Sequence, residues 1–153
     1  MTRKPAKADD ADISYHVTTL RVPLFEVDLG QAVYHGNYYH LFELAREDFL
    51  REIGFPYREF MNRQLHLAIV EAQCSYRRPL HYDDIIHIHT GIARMTSRSL
   101  SFSQIVFRET RDGAEETATR ALLQAVCVRF SGGPVQLPEE FRHAVERYQK
   151  PLV

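Results

Sequence analysis

Phe25-Glu26-Val27-Asp28-Leu29-Gly30-Gln31-Ala32-Val33-Tyr34-His35-Gly36-Asn37-Tyr38 is the stretch that decides how this chain is organised. It places an acid, then a glycine two residues later, then Val33-Tyr34-His35 directly before a helix start. Gly30 and Gly36 punctuate it as a structured loop. Upstream, Ser14 to Phe25 alternates through Tyr15, Val17, Leu20 and Val22 in the manner of a strand, with Pro23 near its end marking an edge position or the strand's exit. Downstream the period changes. From Tyr38 to Ile53, the apolar residues Leu41, Phe42, Ala45, Phe49 and Ile53 recur at steps of three and four, which predicts a helix. Asn37 is the expected N-cap, Gly54 the C-terminal stop, and Pro56 follows it. Leu44, Tyr38 and Tyr39 widen the apolar stripe, so the helix should be wrapped by other structure.

Beyond a short helix or turn at 57–63, the pattern is nearly all strand. Strands are expected near His66–Arg77, Ile85–Met95, Ser99–Arg108 and Thr117–Phe130, with Asp112-Gly113 as a hairpin turn. Ser131-Gly132-Gly133-Pro134 ends the last strand, and Pro138–Gln149 reads as a short surface helix. Consecutive strands with short connections form an antiparallel sheet. One long helix and one sheet face must then bury each other, which is an α+β layer structure. Residues 1–13 are polar and charged and read as a disordered tail, leaving one domain over 14–153.

Composition narrows the function classes. The 153 residues are 44 % apolar and 25 % charged, with a formal net charge of −1. No global field would recruit nucleic acid or an anionic membrane surface. No apolar run approaches the ~20 residues of a membrane-spanning helix, and residues 1–12 lack the apolar core of a signal peptide. The cytoplasm is the expected location. Cys74 and Cys127 lie in apolar strand-like runs outside any CxxC pair and read as buried, reduced thiols. His81, His87 and His89 with Asp83 and Asp84 look metal-like in spacing. Yet His87 and His89 project from one strand face while Ile86 and Ile88 face the core, so two solvent-facing histidines explain the pattern without metal.

The loop itself suits acyl chemistry. Amides at a helix N-terminus are unpaired donors beside the positive end of the helix dipole, where a carbonyl oxygen gaining charge is stabilised. A carboxylate on the approaching loop can attack the carbonyl carbon or activate water.

The stretch resembles the signature of the 4-hydroxybenzoyl-CoA thioesterase family, in particular its YbgC-type acyl-CoA thioesterases: an Asp, a Gly two residues on, Val-Tyr-His, and a helix with Glu and Ala-Arg, here Glu43 and Ala45-Arg46. The resemblance extends through Val70-Glu71, Tyr76 with Pro79, Tyr82-Asp83-Asp84 and Val126-Cys127-Val128, covering about residues 17–130. Gln31 departs from it, since relatives often carry a second glycine there. The resemblance implies a hot-dog fold, an antiparallel sheet of about five strands wrapped around one long helix. It implies a homodimer or homotetramer with active sites between subunits. It makes Asp28 the nucleophile or general base, and gives the His35 backbone N–H to the thioester oxygen. The His35 imidazole is either a substrate-orienting group or a structural cap, and Tyr34 is a candidate substrate contact.

Arg77, Arg78, Arg94 and Arg98, with Ser97, lie near strand ends and are candidates for the CoA phosphates, because Arg offers paired donors. Glu43 sits in the apolar stripe and would pair with Arg46, three residues on, or serve as an accessory acid. The expected reaction is hydrolysis of an acyl-CoA, with acyl carrier protein as the other carrier. No cofactor is needed, because a thioester is already activated. Two rivals stand beside it: a hot-dog hydratase or dehydratase of 3-hydroxyacyl thioesters, whose His and carboxylate stand at a different spacing, and a non-catalytic acyl-CoA binding module. Release of free CoA separates both from the thioesterase.

Overall fold

The computed structural model describes residues 12–149. Strand β1 (His16–Arg21) is followed by helix α1 (Tyr38–Glu52), a short helix α2 (Tyr57–Asn62), strands β2 (Leu65–Tyr76), β3 (Ile85–Met95), β4 (Ser99–Glu109) and β5 (Glu115–Arg129), and helix α3 (Glu139–Gln149). The five strands form one antiparallel sheet in the order β1-β3-β4-β5-β2. This is the wrapped α+β hot-dog arrangement that the sequence implied. β1 and β2 are the edges.

α1 lies on the sheet through the stripe that its period predicts. Leu41, Phe42, Ala45 and Phe49 are all buried, joined by Tyr38 and Leu50. Phe49 meets Phe102 of β4 edge-on at 6.4 Å. The buried Gln104 of β4 donates to the Phe42 carbonyl at 3.0 Å. Fully burying a Phe or Leu stabilises by about 1.5–3 kcal/mol, so this interface holds the layers together. The helix stops as expected. Gly54 takes φ +86, its N–H donates to Arg51 O, and the Phe55 N–H reaches back to Leu50 O, both at 3.0 Å. Those two bonds are the Schellman pattern, and the left-handed residue inside it is a glycine for steric reasons.

Several expectations need correction. The strand predicted for Ser14 to Phe25 ends at Arg21, and Leu24–Glu26 turn as a 3₁₀ helix. Pro23 has no N–H to continue the ladder. Asn37 is not a side-chain cap. It is already helical, in a 3₁₀ turn over His35–Asn37, and makes no capping bond. Its side-chain amide instead donates to the Glu26 carbonyl at 3.1 Å. Leu44 does not widen the buried stripe but is half exposed.

The core has two lobes along α1. One gathers Phe49, Phe55, Phe60, Phe102 and Phe141 under α2 and α3. The other gathers Tyr38, Leu41, Phe42, Val33, Leu80 and Ile88 near the start of α1. Cys127 is buried and Cys74 half-buried, and burial pushes both thiols up. At Gly91 of β3 the segment before β1 passes very close. A Cβ there would stand 2.4 Å from Ile13 Cγ2, so only glycine fits.

Candidate active site

Backbone bonds shape the loop between β1 and α1. Val27 and Val33 form an isolated bridge. Inside it, the Asp28 N–H donates to Ala32 O and the Gln31 N–H to Asp28 O, both at 3.0 Å. Gln31 takes φ +66, a left-handed conformation that suits glycine better. The Gly30 N–H donates to Asp28 Oδ1 at 2.8 Å. Asp28 is exposed.

The loop is anchored to the buried side. Val33 N–H donates to Leu80 O at 2.8 Å and Tyr34 N–H to Glu26 O at 3.1 Å. Glu26 is only 3 % exposed. Both of its carboxylate oxygens lie 3.1 Å from His40 Nδ1. A buried carboxylate requires such a partner, and this one ties the loop to the first turn of α1.

His35 opens the helical turn that runs into α1. Its carbonyl accepts the Tyr76 hydroxyl at 2.7 Å, a bond from the last residue of β2. The Tyr38 ring packs edge-on against Tyr76 at 4.9 Å, and the Tyr38 hydroxyl accepts the Leu80 N–H at 3.3 Å. The Tyr34 and His35 rings lie 4.2 Å apart, and both residues are exposed. The first amides of the turn have no intrahelical partner.

The site residues expected from sequence fall into two groups. Asp28, Tyr34 and His35 share the loop, and Arg77 and Arg78 follow Tyr76 at the same end of the sheet. Both arginines are exposed, and Arg78 Nε lies 3.3 Å from a Glu116 oxygen. Arg94, Ser97 and Arg98 lie on the hairpin joining β3 and β4, where the Cys127 N–H donates to Arg98 O. Tyr76 pairs with Thr119, so the two groups are separated by the β5 span from Thr119 to Cys127, roughly 26 Å at ~3.3 Å per residue. One chain does not bring them together.

Glu43 is exposed rather than buried, and its charge acts on Arg46 without a direct hydrogen bond between them. Arg46 donates to Gln104 Oε1 at 3.1 Å and lies over the Phe102 ring. Glu43, Arg46, Tyr57, Ile69 and Phe102 border a cavity of about 170 Å³ between α1 and β2, well down the helix from Asp28. Ile86 and Ile88 face the core as expected. His87, however, is not simply solvated: its Nε2 lies 2.8 Å from Glu109 Oε1 and its Nδ1 2.8 Å from the Thr19 hydroxyl. Among the described residues no group of His, Cys, Asp and Glu could hold a metal ion.

Sequence reasoning missed the Glu26–His40 pair and the Tyr76–His35 bond. An acid inside the apolar run Leu24 to Leu29 was the available signal for Glu26. A bond between residues so far apart in the chain leaves no local signal.

The chain is similar to the acyl-CoA thioesterase YbgC of Haemophilus influenzae, 27 % identical over 82 % of this chain and 90 % of that protein. It is similar to a hypothetical protein of Aquifex aeolicus with a known crystal structure, at 32 % identity and a TM-score of 0.78, covering 85 % of this chain and 98 % of that one. The 4-hydroxybenzoyl-CoA thioesterase of Pseudomonas sp. strain CBS-3 shares the fold at 21 % identity, with a TM-score of 0.78 over 86 % of this chain and 99 % of its own. The pattern of the thioesterase-like superfamily matches residues 22–145, so the chain belongs to that superfamily.

Proposed function

We propose that this protein is an acyl-CoA thioesterase, with Asp28 as nucleophile or general base and the His35 N–H as donor to the thioester oxygen. The observation that carries this reading is the Asp28 carboxylate on an anchored loop that runs straight into the unpaired amides of a helix start. As a base, Asp28 takes a proton from water while the water oxygen bonds to the carbonyl carbon. The oxyanion collapses, the C–S bond breaks, and the CoA thiolate takes up a proton. As a nucleophile, the carboxylate bonds to the carbon itself, the thiolate leaves, and water hydrolyses the resulting anhydride. Either route consumes one water and yields a carboxylic acid and CoA. The carrier is CoA, with acyl carrier protein as the alternative, and the site of action is the cytoplasm. Among the described residues no helix is long and apolar enough to cross a membrane.

The same reading includes an oligomer, a homodimer or homotetramer built across β2. That strand is an open edge carrying exposed Ile69, Val70 and Tyr76. Uncovered edges of this kind pair readily. A two-fold antiparallel pairing of β2 with its copy reverses the partner's sheet. The partner's hairpin with Arg94, Ser97 and Arg98 then stands at the Asp28 end, next to Arg77 and Arg78. Those residues would together hold the CoA phosphates, with Tyr34 beside the acyl group.

The test is release of free CoA from a panel of acyl-CoAs, followed with a thiol reagent. Catalysed release supports the thioesterase. Tight binding of acyl-CoA with no release, or conversion of an enoyl-CoA to its 3-hydroxyacyl form without release, refutes it.

A further inference from the structure

The Tyr76 hydroxyl donates to the carbonyl of His35 at 2.7 Å. That carbonyl belongs to the peptide unit whose other end is the Gly36 N–H. A donor on the oxygen of an amide draws electron density from its nitrogen and makes the N–H a stronger donor, the cooperative effect seen in hydrogen-bond chains. It also fixes the plane of the peptide. The bond is long-range, joining the last residue of β2 to the first turn before α1, so it sets where the turn sits relative to the sheet.

The surroundings favour this single geometry. The Tyr38 ring braces Tyr76 edge-on at 4.9 Å, and the Tyr38 hydroxyl is itself engaged by the Leu80 N–H. On the other side the Tyr34 ring covers Gly36: a Cβ there would stand 3.0 Å from Tyr34 Cε1. A side chain at position 36 would therefore have to displace the Tyr34 ring or shift the turn. Although the Tyr76 ring is partly exposed, loss of solvent around its hydroxyl and the neighbouring Cys74 thiol hold the phenol above its ordinary range, so it stays protonated and able to donate.

We infer that Tyr76 is a positioning residue, whose hydroxyl orients and polarises the His35–Gly36 peptide so that the Gly36 N–H serves as a second donor to the thioester oxygen. The inference rests on the thioesterase reading above. It adds a donor that the loop motif alone does not name, and a control over it that comes from the edge strand. Preorganised donors act on charge as it develops, so their loss falls on turnover rather than on substrate binding.

The experiment is Tyr76→Phe, which deletes one oxygen and keeps the ring. Steady-state kinetics on the best acyl-CoA should show kcat reduced by about 10-fold or more, KM changed by less than about 2-fold, and an unchanged thermal midpoint. Para-aminophenylalanine at the same position, which keeps a donor, should recover most of the turnover. In the ligand-free protein, the Gly36 amide ¹⁵N resonance should move in Tyr76→Phe and return in the para-amino variant. A Tyr76→Phe variant with wild-type kcat, or one that loses its fold, overturns the inference. So does an unmoved Gly36 resonance. A wild-type protein that releases no CoA defeats the thioesterase reading instead, and the resonance still reports on the Tyr76 contact.

Discussion

The Gly30 amide lies 2.8 Å from Asp28 Oδ1, and a Cβ on Gly30 would stand 3.0 Å from the same oxygen. The glycine thus orients the carboxylate and could not do so as any larger residue without shifting it. Gly30→Ala should reduce kcat by roughly 10-fold, since small displacements of a reacting group are costly. The thermal midpoint should stay close to wild type, because the loop is exposed. Kinetics with a parallel melting curve checks both parts; full turnover would show that the carboxylate position is set elsewhere.

Asp28→Asn keeps an oxygen to accept the Gly30 N–H while removing the charge. Turnover should fall by at least the ~10²-fold typical of losing a general base, and further if Asp28 is the nucleophile. Folding should be nearly unchanged. Near wild-type turnover of a folded variant would remove Asp28 from the mechanism and make Glu43 or His35 the next residue to test.

The arginines give a test of the subunit arrangement. Single Ala variants of Arg77, Arg78, Arg94 or Arg98 should raise KM more than they lower kcat wherever the residue meets the phosphates, since that binding is largely uniform along the reaction. If the phosphates bridge subunits, mixing Asp28→Asn chains with Arg94→Ala/Arg98→Ala chains should restore low-KM activity, because one site of each mixed pair is then intact. No restoration after verified subunit exchange would confine the whole site to one chain.

Val70 lies on the exposed edge strand at the irregularity between Ile69 and Glu71, and is 58 % exposed. Val70→Lys places a charge where a copy would pair, a device by which sheet edges avoid association. Analytical ultracentrifugation at micromolar concentration should show dissociation to monomer, with activity lost in step. A wild-type chain that is itself monomeric would count against both the assembly and the shared site.

Acid should loosen the join between β1 and α1. The Thr18 hydroxyl and the His16 ring both bond Asp48 Oδ2, at 2.7 and 2.9 Å. These bonds hold the Asp48 carboxyl below its ordinary range, the hydroxyl contributing most. A carboxyl lowered by folding stabilises above its unfolded value of about 3.9 and loses that contribution as pH falls through the folded value. Thr18→Ala should therefore lower the midpoint at pH 6 by an amount worth less than about 1 kcal/mol, the group being partly exposed. The difference from wild type should shrink below pH 4. A constant difference across that range would exclude Asp48 as the cause.

The helix, the strand succession and the loop motif were legible because each is a local pattern. The stripe Leu41, Phe42, Ala45, Phe49 needs only a period, and the Gly54 stop needs only steric freedom. Cap and pair assignments failed where a distant partner intervened. Asn37 turns to the Glu26 carbonyl, and Arg46 reaches across to Gln104 rather than along the helix to Glu43. Likewise Arg77 and Arg98 looked equivalent as strand-end cations. The register of β5 alone reveals that they belong to opposite ends of the sheet.

The two-lobed core has a consequence for how such a chain can change. The phenylalanine lobe under α2 and α3 lies toward one end of α1, while the loop of Asp28 rests on the other lobe, around Tyr38 and Leu80. Substitutions that recut the acyl site thus load only half of the interior. The packing of Phe49, Phe55, Phe60, Phe102 and Phe141 is untouched by such changes, so whatever stability they cost is lost from the near lobe alone.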